Sequence, residues 1–526
     1  MKYAVLLAAM LLCGPLAAKA ADGAGANAAT SESPGASETH TKPQLSISSG
    51  TVTIGGQRLG YKANAGTLIL TNDKRQPTAS MFYVAYFKDG VNNPDTRPLT
   101  FFFNGGPGSA TVWLHMGAFG PRRVRTDDTA HTPAAPYQLV DNEYSLLDAT
   151  DMVFVDAPGT GFSRVLDKSL GGQGDPKDFY GVDSDGIAFT SFIEQFLSQY
   201  GRWNSPKYLL GESYGAMRAP VVALDLQNAS VDLNGLIMLS MIDNIEMGPG
   251  FDGFNPAIDV PYALVLPTMA AIAWYHDKLT NKPPQLEPFL KEVEHFAMTD
   301  YLSALNAGSD LDDASRQRIA GKLHGYIGLP VAYLLKANLR VTGWQFEHEL
   351  LRDSGDLAGR QDGRFAGPAL DPLGENAEYD PSDVAVDSAY VSSFNDYARR
   401  ELKVENDLSY IPLSLEVNGK WDFKHVEPGV GAPLPLATNV LPDLATAMTQ
   451  NPDMKVMLNG GYYDLSTTFY SAEFQLHHLP MNPSLQQNIS YAWYPSGHMI
   501  YANEASLKAL HDNVARFIES THGSGG

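Results

Sequence analysis

Cysteine is almost missing from this 526-residue chain, and the single one, Cys13, lies within the first 20 residues, just after an apolar run. With those residues read as a cleaved leader, the mature protein has no thiol and no disulfide. Neither thiol chemistry nor a disulfide framework can then support it. Basic charge is also scarce: 37 Lys and Arg stand against 59 Asp and Glu, a formal net charge of −22. That excludes a general affinity for nucleic acid or anionic membrane, which need basic patches. Metal-ligand spacing is lacking too, because no second histidine follows His348-Glu349 at helical distance. Gly-rich stretches such as Gly171-Gly172 lack the strand-to-helix setting of a phosphate or dinucleotide loop. The sequence gives no reason to expect a metal or a cofactor.

What is present begins with a leader. Lys2 is a small positive n-region, Ala4 to Leu12 is apolar, and Ala18-Lys19-Ala20 has the small residues of a signal peptidase site. We expect a signal peptide over residues 1–20, cleaved after Ala20, and a secreted or periplasmic protein. The apolar run is too short to span a bilayer, so no membrane anchor is expected. Residues 21–42 are Ala, Gly, Ser, Thr and Glu with few large apolar side chains, and read as a disordered linker. Elsewhere 44% hydrophobic and 18% charged residues suit a core large enough to need no covalent staples.

From Leu45 to Phe103 short apolar stretches alternate with turn pairs such as Gly55-Gly56 and Asn72-Asp73, the pattern of antiparallel hairpins. Strands and helices then alternate: DMVFV (151–155), a helix over 185–200, KYLLGES (207–213), a helix over 215–227, and LIMLSMI (236–242). Strand-helix-strand order implies parallel strands covered by helices. The rhythm becomes helical over 262–279, 289–306, 312–324, 330–340 and 388–402, with a polar Gly-, Pro- and Asp-rich stretch from Arg352 to Asp387. Strands return at 454–461 and 489–495, before a final amphipathic helix over 503–519. The expected organisation is an α/β core in two parts, 43–245 and 431–526, separated by a helical cap insertion over 246–430.

Chemistry is concentrated at Gly211-Glu212-Ser213-Tyr214-Gly215, placed where a strand becomes a helix. Small residues on either side allow the sharp turn that lifts a nucleophilic serine above a sheet. A serine hydroxyl also needs a base, an acid to orient that base, and donors for the oxyanion. Asp464 follows the strand VMLNGG, and His498 follows the last strand before the terminal helix. The order Ser213, Asp464, His498 is that of α/β hydrolases. Asp453 and Asp422 compete as the acid, and His477, His478 and His511 as the base. The three histidines read as surface residues. The oxyanion donors are expected at the backbone of Tyr214 and in Asn104-Gly105-Gly106-Pro107-Gly108, with Gly106 preferred.

FFFNGGPGSA (101–110), FVDAPGTGFS, GESYG, GGYYD and YPSGHM together resemble the serine carboxypeptidases, peptidase family S10. The resemblance spans roughly residues 80–245 and 450–520. It implies an α/β-hydrolase fold with a large helical cap, a Ser213–Asp464–His498 triad, and oxyanion donors at Gly106 and Tyr214. It also implies that Asn104, Gly105 and Glu212 hold the free carboxylate of a peptide substrate, with hydrolysis through an acyl-enzyme. A protonated glutamate and an amide can both donate to a carboxylate. Two departures stand out. Ala118 occupies the position of a second glutamate that usually partners the first, so we expect a higher pH optimum. Arg122 and Arg123 lie nearby as solvated residues or as a substitute charge. The disulfides of secreted eukaryotic members are also missing. An esterase or acyltransferase of the same fold, or a silent binding protein on that scaffold, are the alternatives.

Overall fold

The computed structural model describes residues 40–249, 256–405, 407–433 and 437–522. The expected leader and nearly all of the expected linker lie outside the described residues. Strands β1 (Leu45–Ile54), β2 (Gln57–Thr71) and β3 (Pro77–Lys88) form an antiparallel meander. Gly55 and Gly56 turn the first hairpin at φ 55° and 79°, a conformation that favours glycine. Strands β4 (Leu99–Phe103), β5 (Asp151–Val155), β6 (Lys207–Glu212), β7 (Gly235–Leu239), β8 (Lys455–Gly461) and β9 (Ile489–Tyr494) continue the sheet. Its order is β1-β2-β3-β5-β4-β6-β7-β8-β9, with the short strand Arg164–Val165 on β3. All neighbours from β5 to β9 are parallel. Strands β4 to β7 are buried throughout, which is why LTFFF, DMVFV, KYLL and GLIML read as continuous apolar runs rather than alternating ones.

Helices α1 (Val182–Tyr200) and α2 (Tyr214–Asn228) close one apolar core against the sheet. The terminal helix Glu504–Thr521 closes a second core on the other face, together with the Leu114–Phe119 turn. A third core lies mainly in the segment between β7 and β8 and takes in Tyr463, Leu465 and Phe469 just after β8. Its centre is α3 (Val260–Tyr275), apolar all round, packed against α4 (Leu286–Phe296) and α5 (Asp313–Ile327). The sequence reading starts a later helix at 388. In the structure this helix, α6, runs from Pro381 to Arg400. Asp380 caps it, accepting from Ser382 N at 2.9 Å, and proline takes its first position. The seven-residue difference places Asp383 and Asp387 on a helix rather than in a loop.

The polar stretch before α6 is not a solvated connection. Residues 359–365 are mostly buried between the ends of β8 and β9. His498 N donates to Gln361 O at 2.6 Å, Leu465 N to Arg360 O at 2.9 Å, and Gly363 N to Tyr463 O at 2.9 Å. Gly497 N donates to Asp362 Oδ2 at 3.1 Å, and Arg364 pairs with the same carboxylate at 2.6 Å. Backbone donors and acceptors that solvent would otherwise satisfy are taken by these two loops. Gly497 passes so close that a side chain there would lie 2.6 Å from Asp362 Cα and overlap Gln361 O. Gly497→Ala should therefore lower the thermal midpoint, by the ~1–3 kcal/mol typical of overpacking. An unchanged midpoint in a thermal scan would refute the close contact.

Candidate active site

Ser213 sits between β6 and α2 with φ 62° and ψ −129°, a region that side-chain-bearing residues rarely occupy. Its N–H donates to Leu239 O at 3.0 Å, which ties the turn to β7. The glycines around it have steric reasons. A side chain at Gly211 would overlap Gly215 O, and one at Gly215 would come 2.5 Å from Phe103 O. A side chain at Gly105 would overlap Tyr214 N and come 2.8 Å from Glu212 O. The loop after β4 and the turn after β6 thus touch backbone to backbone. Beneath them Arg218, 2% exposed, donates to Asn104 O at 2.8 Å and pairs with Asp185 at 2.5 Å. Its guanidinium lies over the Phe189 ring at 4.4 Å.

Asp464 and His498 come from the loops after β8 and β9. His498 Nδ1 and Asp464 Oδ2 are 2.7 Å apart. Thr467 donates its hydroxyl to the same carboxylate oxygen at 2.7 Å. Asp464 Oδ1 accepts from Ser466 N at 2.8 Å and Thr467 N at 3.0 Å. Burial pulls the His498 imidazole down, but the charge and hydrogen bond of Asp464, with the charges of Glu212 and Asp380, leave it raised. His498 and Ser213 open onto one cleft, which Asn104, Gly105, Gly106 and Glu212 also line. Gly106 holds φ 106° at its wall, and Tyr214 contributes the first backbone N–H of α2. None of the competing residues Asp422, Asp453, His477, His478 and His511 lines this cleft. His511 is nevertheless not a surface residue: it is buried, 3.1 Å from Asp148 and 3.0 Å from Asp512.

Glu212 is 3% exposed. Its Oε1 accepts from Asn104 Nδ2 at 2.7 Å and from Tyr501 OH at 3.1 Å, while its buried Oε2 has no partner. Burial pushes its carboxyl up to about 7, against the opposing effects of His498 and of the Tyr501 and Asn104 hydrogen bonds. Ala118 does not line the cleft. It is fully buried in apolar packing, and its carbonyl accepts from Asn142 Nδ2 at 2.8 Å. The place of an acidic partner is taken by Tyr501, which the sequence reading missed. Arg122 and Arg123 supply no substitute charge. Arg122 pairs with Asp141, whereas Arg123 is buried and pairs with Glu504 at 2.9 Å rather than being solvated.

Trp113, Asp383 and Asp387 also line the cleft and were likewise not anticipated. Asp383 and Asp387 carry a legible signal, the Asp380-Pro381 helix start, but nothing in their spacing shows that α6 faces the serine.

A family model described as serine carboxypeptidase matches residues 57–242. A serine carboxypeptidase S10 family member from Dictyostelium discoideum is 30% identical over 181 residues, covering 31% of this chain and 37% of the relative. A serine carboxypeptidase-like protein from Arabidopsis thaliana is 30% identical over 178 residues, covering 33% and 34%. The chain thus spans about a third of the length of the curated relatives it matches. Among solved structures, Kex1(delta)p, a prohormone-processing carboxypeptidase from Saccharomyces cerevisiae, superposes with a TM-score of 0.53 at 15% identity. That likeness covers 88% of this chain and 91% of the other, and shows the shared α/β-hydrolase fold. The motif-bearing first part of the core is thus similar in sequence to the serine carboxypeptidases, peptidase family S10, and the chain as a whole has the α/β-hydrolase fold.

Proposed function

We propose that the protein is a serine-type carboxypeptidase, exported and cleaved after Ala20, that removes C-terminal residues from peptides. Ser213 Oγ attacks the last peptide carbonyl while His498 Nε2 takes its proton, and Asp464 holds the other ring nitrogen. The N–H groups of Gly106 and Tyr214 receive the negative oxygen of the tetrahedral intermediate. The amine of the departing residue takes the proton from His498 and leaves an acyl-enzyme at Ser213. A water, deprotonated by His498, then hydrolyses that ester. Residues 246–430 act as the cap, since Gln361, Asp383 and Leu413 from this stretch line the cleft.

One observation carries the choice of a peptide's free C-terminus: Glu212, buried, raised to about 7, and bonded to Asn104 beside the reacting serine. A neutral carboxyl and an amide, with the Gly105 backbone, make a donor site for a substrate carboxylate. An esterase or acyl transfer enzyme gains nothing from it.

The discriminating assay compares an N-blocked dipeptide with its C-terminal amide. The acid should be cleaved with kcat/KM higher by two or more orders of magnitude, since the amide leaves buried donors and acceptors mispaired. Ser213→Ala should abolish both cleavage and labelling by a serine-directed phosphonate. Equal rates on acid and amide would sink the carboxypeptidase reading and favour an esterase or acyltransferase.

The pH dependence has a definite sign. The form of Glu212 that donates is the neutral one, present below about 7 and lost above it. The acid-to-amide ratio of kcat/KM should therefore fall as pH rises through about 7. Tyr501→Phe removes a donor that favours the ionised glutamate, so it should move that fall to higher pH. A ratio that already falls near pH 5, the ordinary range of a glutamate, contradicts the assignment.

A further inference from the structure

The cleft contains two carboxylates that the proposed reaction does not use. Asp383 and Asp387 stand one turn apart on α6, so both face the same way. Both line the cleft with Ser213, Glu212 and His498. Asp387 Oδ1 accepts from Trp113 Nε1 at 2.8 Å. Asp383 is only 8% exposed, and its carboxyl has no hydrogen-bond or ion-pair partner among the described residues. An unpaired buried carboxylate is costly, and is kept where something else completes it.

The surroundings do not complete it. The Asp380 carboxylate accepts from the backbone of Arg360, Gln361 and Ser382. Glu347, also buried, has one oxygen without a partner. Arg360, the cation whose charge acts on Asp383, has its guanidinium over the Trp344 ring at 4.1 Å and forms no ion pair among the described residues. Burial, with the charges of Asp380 and Asp387, holds the Asp383 carboxyl well above its usual range, and burial pushes Asp387 up to about 6. A cation seated between them would reverse both effects.

Location fixes what the cation belongs to. Trp113, bonded to Asp387, directly precedes Leu114, whose N–H donates to Asn104 Oδ1 at 3.1 Å. Asn104 in turn holds Glu212. The acid pair therefore flanks the proposed carboxylate site, on the side that receives the departing residue. We infer that Asp383 and Asp387 form the subsite for a cationic side chain, arginine or lysine, on the C-terminal residue that is released. The inference rests on the carboxypeptidase reading. Such a residue matches the cleft end to end: its α-carboxylate meets neutral donors, and its side chain meets two carboxylates. The planar guanidinium fork can engage both at once. The net charge of −22 favours approach of basic peptides.

The test compares N-blocked dipeptides ending in arginine, citrulline and leucine. Citrulline keeps the length and shape of arginine and replaces the guanidinium by a neutral urea. At low salt the arginine peptide should show kcat/KM at least ~10-fold above the citrulline peptide. In the double variant Asp383→Asn/Asp387→Asn that ratio should collapse towards one, with phosphonate labelling showing that the site is still assembled. The wild-type ratio stands by itself if the variant does not fold. Equal wild-type rates on arginine and citrulline, or a ratio that survives in a labelled double variant, overturn the subsite. Cleavage of the leucine peptide in that case leaves the carboxypeptidase reading intact. Turnover of a p-nitrophenyl ester with no cleavage of any dipeptide overturns that reading and this inference with it.

Discussion

The candidate site depends on a contact between two backbones. The loop after β4 and the turn after β6 approach so closely that Gly105 and Gly215 have no room for a side chain. That contact holds Ser213 in a conformation it would not choose, and brings Gly106 to the cleft wall in the same step. Arg218 reinforces it from below, joining the carbonyl of Asn104 to Asp185 on α1. A buried pair of this kind adds little net stability, but losing one partner would strand the other charge. Its value is positional, because strand end and helix start are kept in register.

The two buried carboxyls of the site show how local donors set chemistry. Asp464, fully buried, meets donors on both oxygens: two backbone N–H groups, the Thr467 hydroxyl and His498. Glu212, almost as buried, has donors on one oxygen only, and burial pushes it to about 7. Similar burial with different partners gives one group suited to orient a base and another suited to donate to an anion. Tyr501 substitutes chemically for a second acid in part. It supplies a hydrogen bond to Glu212, but no second proton to be shared at low pH.

Much of the fold was legible in the sequence because its signals are local. Parallel strands buried on both faces read as apolar runs, and the hairpins of β1 to β3 are punctuated by the pair Gly55-Gly56, whose φ values favour glycine, and by Asn72-Asp73. The residues expected at the site also announce themselves locally: a serine at a strand-to-helix turn, and an aspartate and a histidine each just after a strand. They do lie at one cleft or bonded to it. What could not be read is held by long-range packing. Tyr501 reaches Glu212 across 289 residues, and Asp387 reaches Trp113 across 274. No periodicity encodes such meetings. The burial of the polar stretch 359–365 is unreadable for a related reason: its composition is that of a loop, and only the ends of β8 and β9 make its burial tolerable.

That buried stretch has a consequence for how such a protein can change over generations. Residues 359–365 belong by sequence to the segment between β7 and β8, yet they carry the loops on which Asp464 and His498 stand. Replacing the segment wholesale with one from another protein of this fold would discard the seat of His498 along with the residues that line the cleft. The heritable unit is therefore the core plus this short ligature. The helices α3 to α5 are tied to it less directly, through a core that they share with Tyr463, Leu465 and Phe469. Variation is constrained wherever the chain returns to touch Gly497.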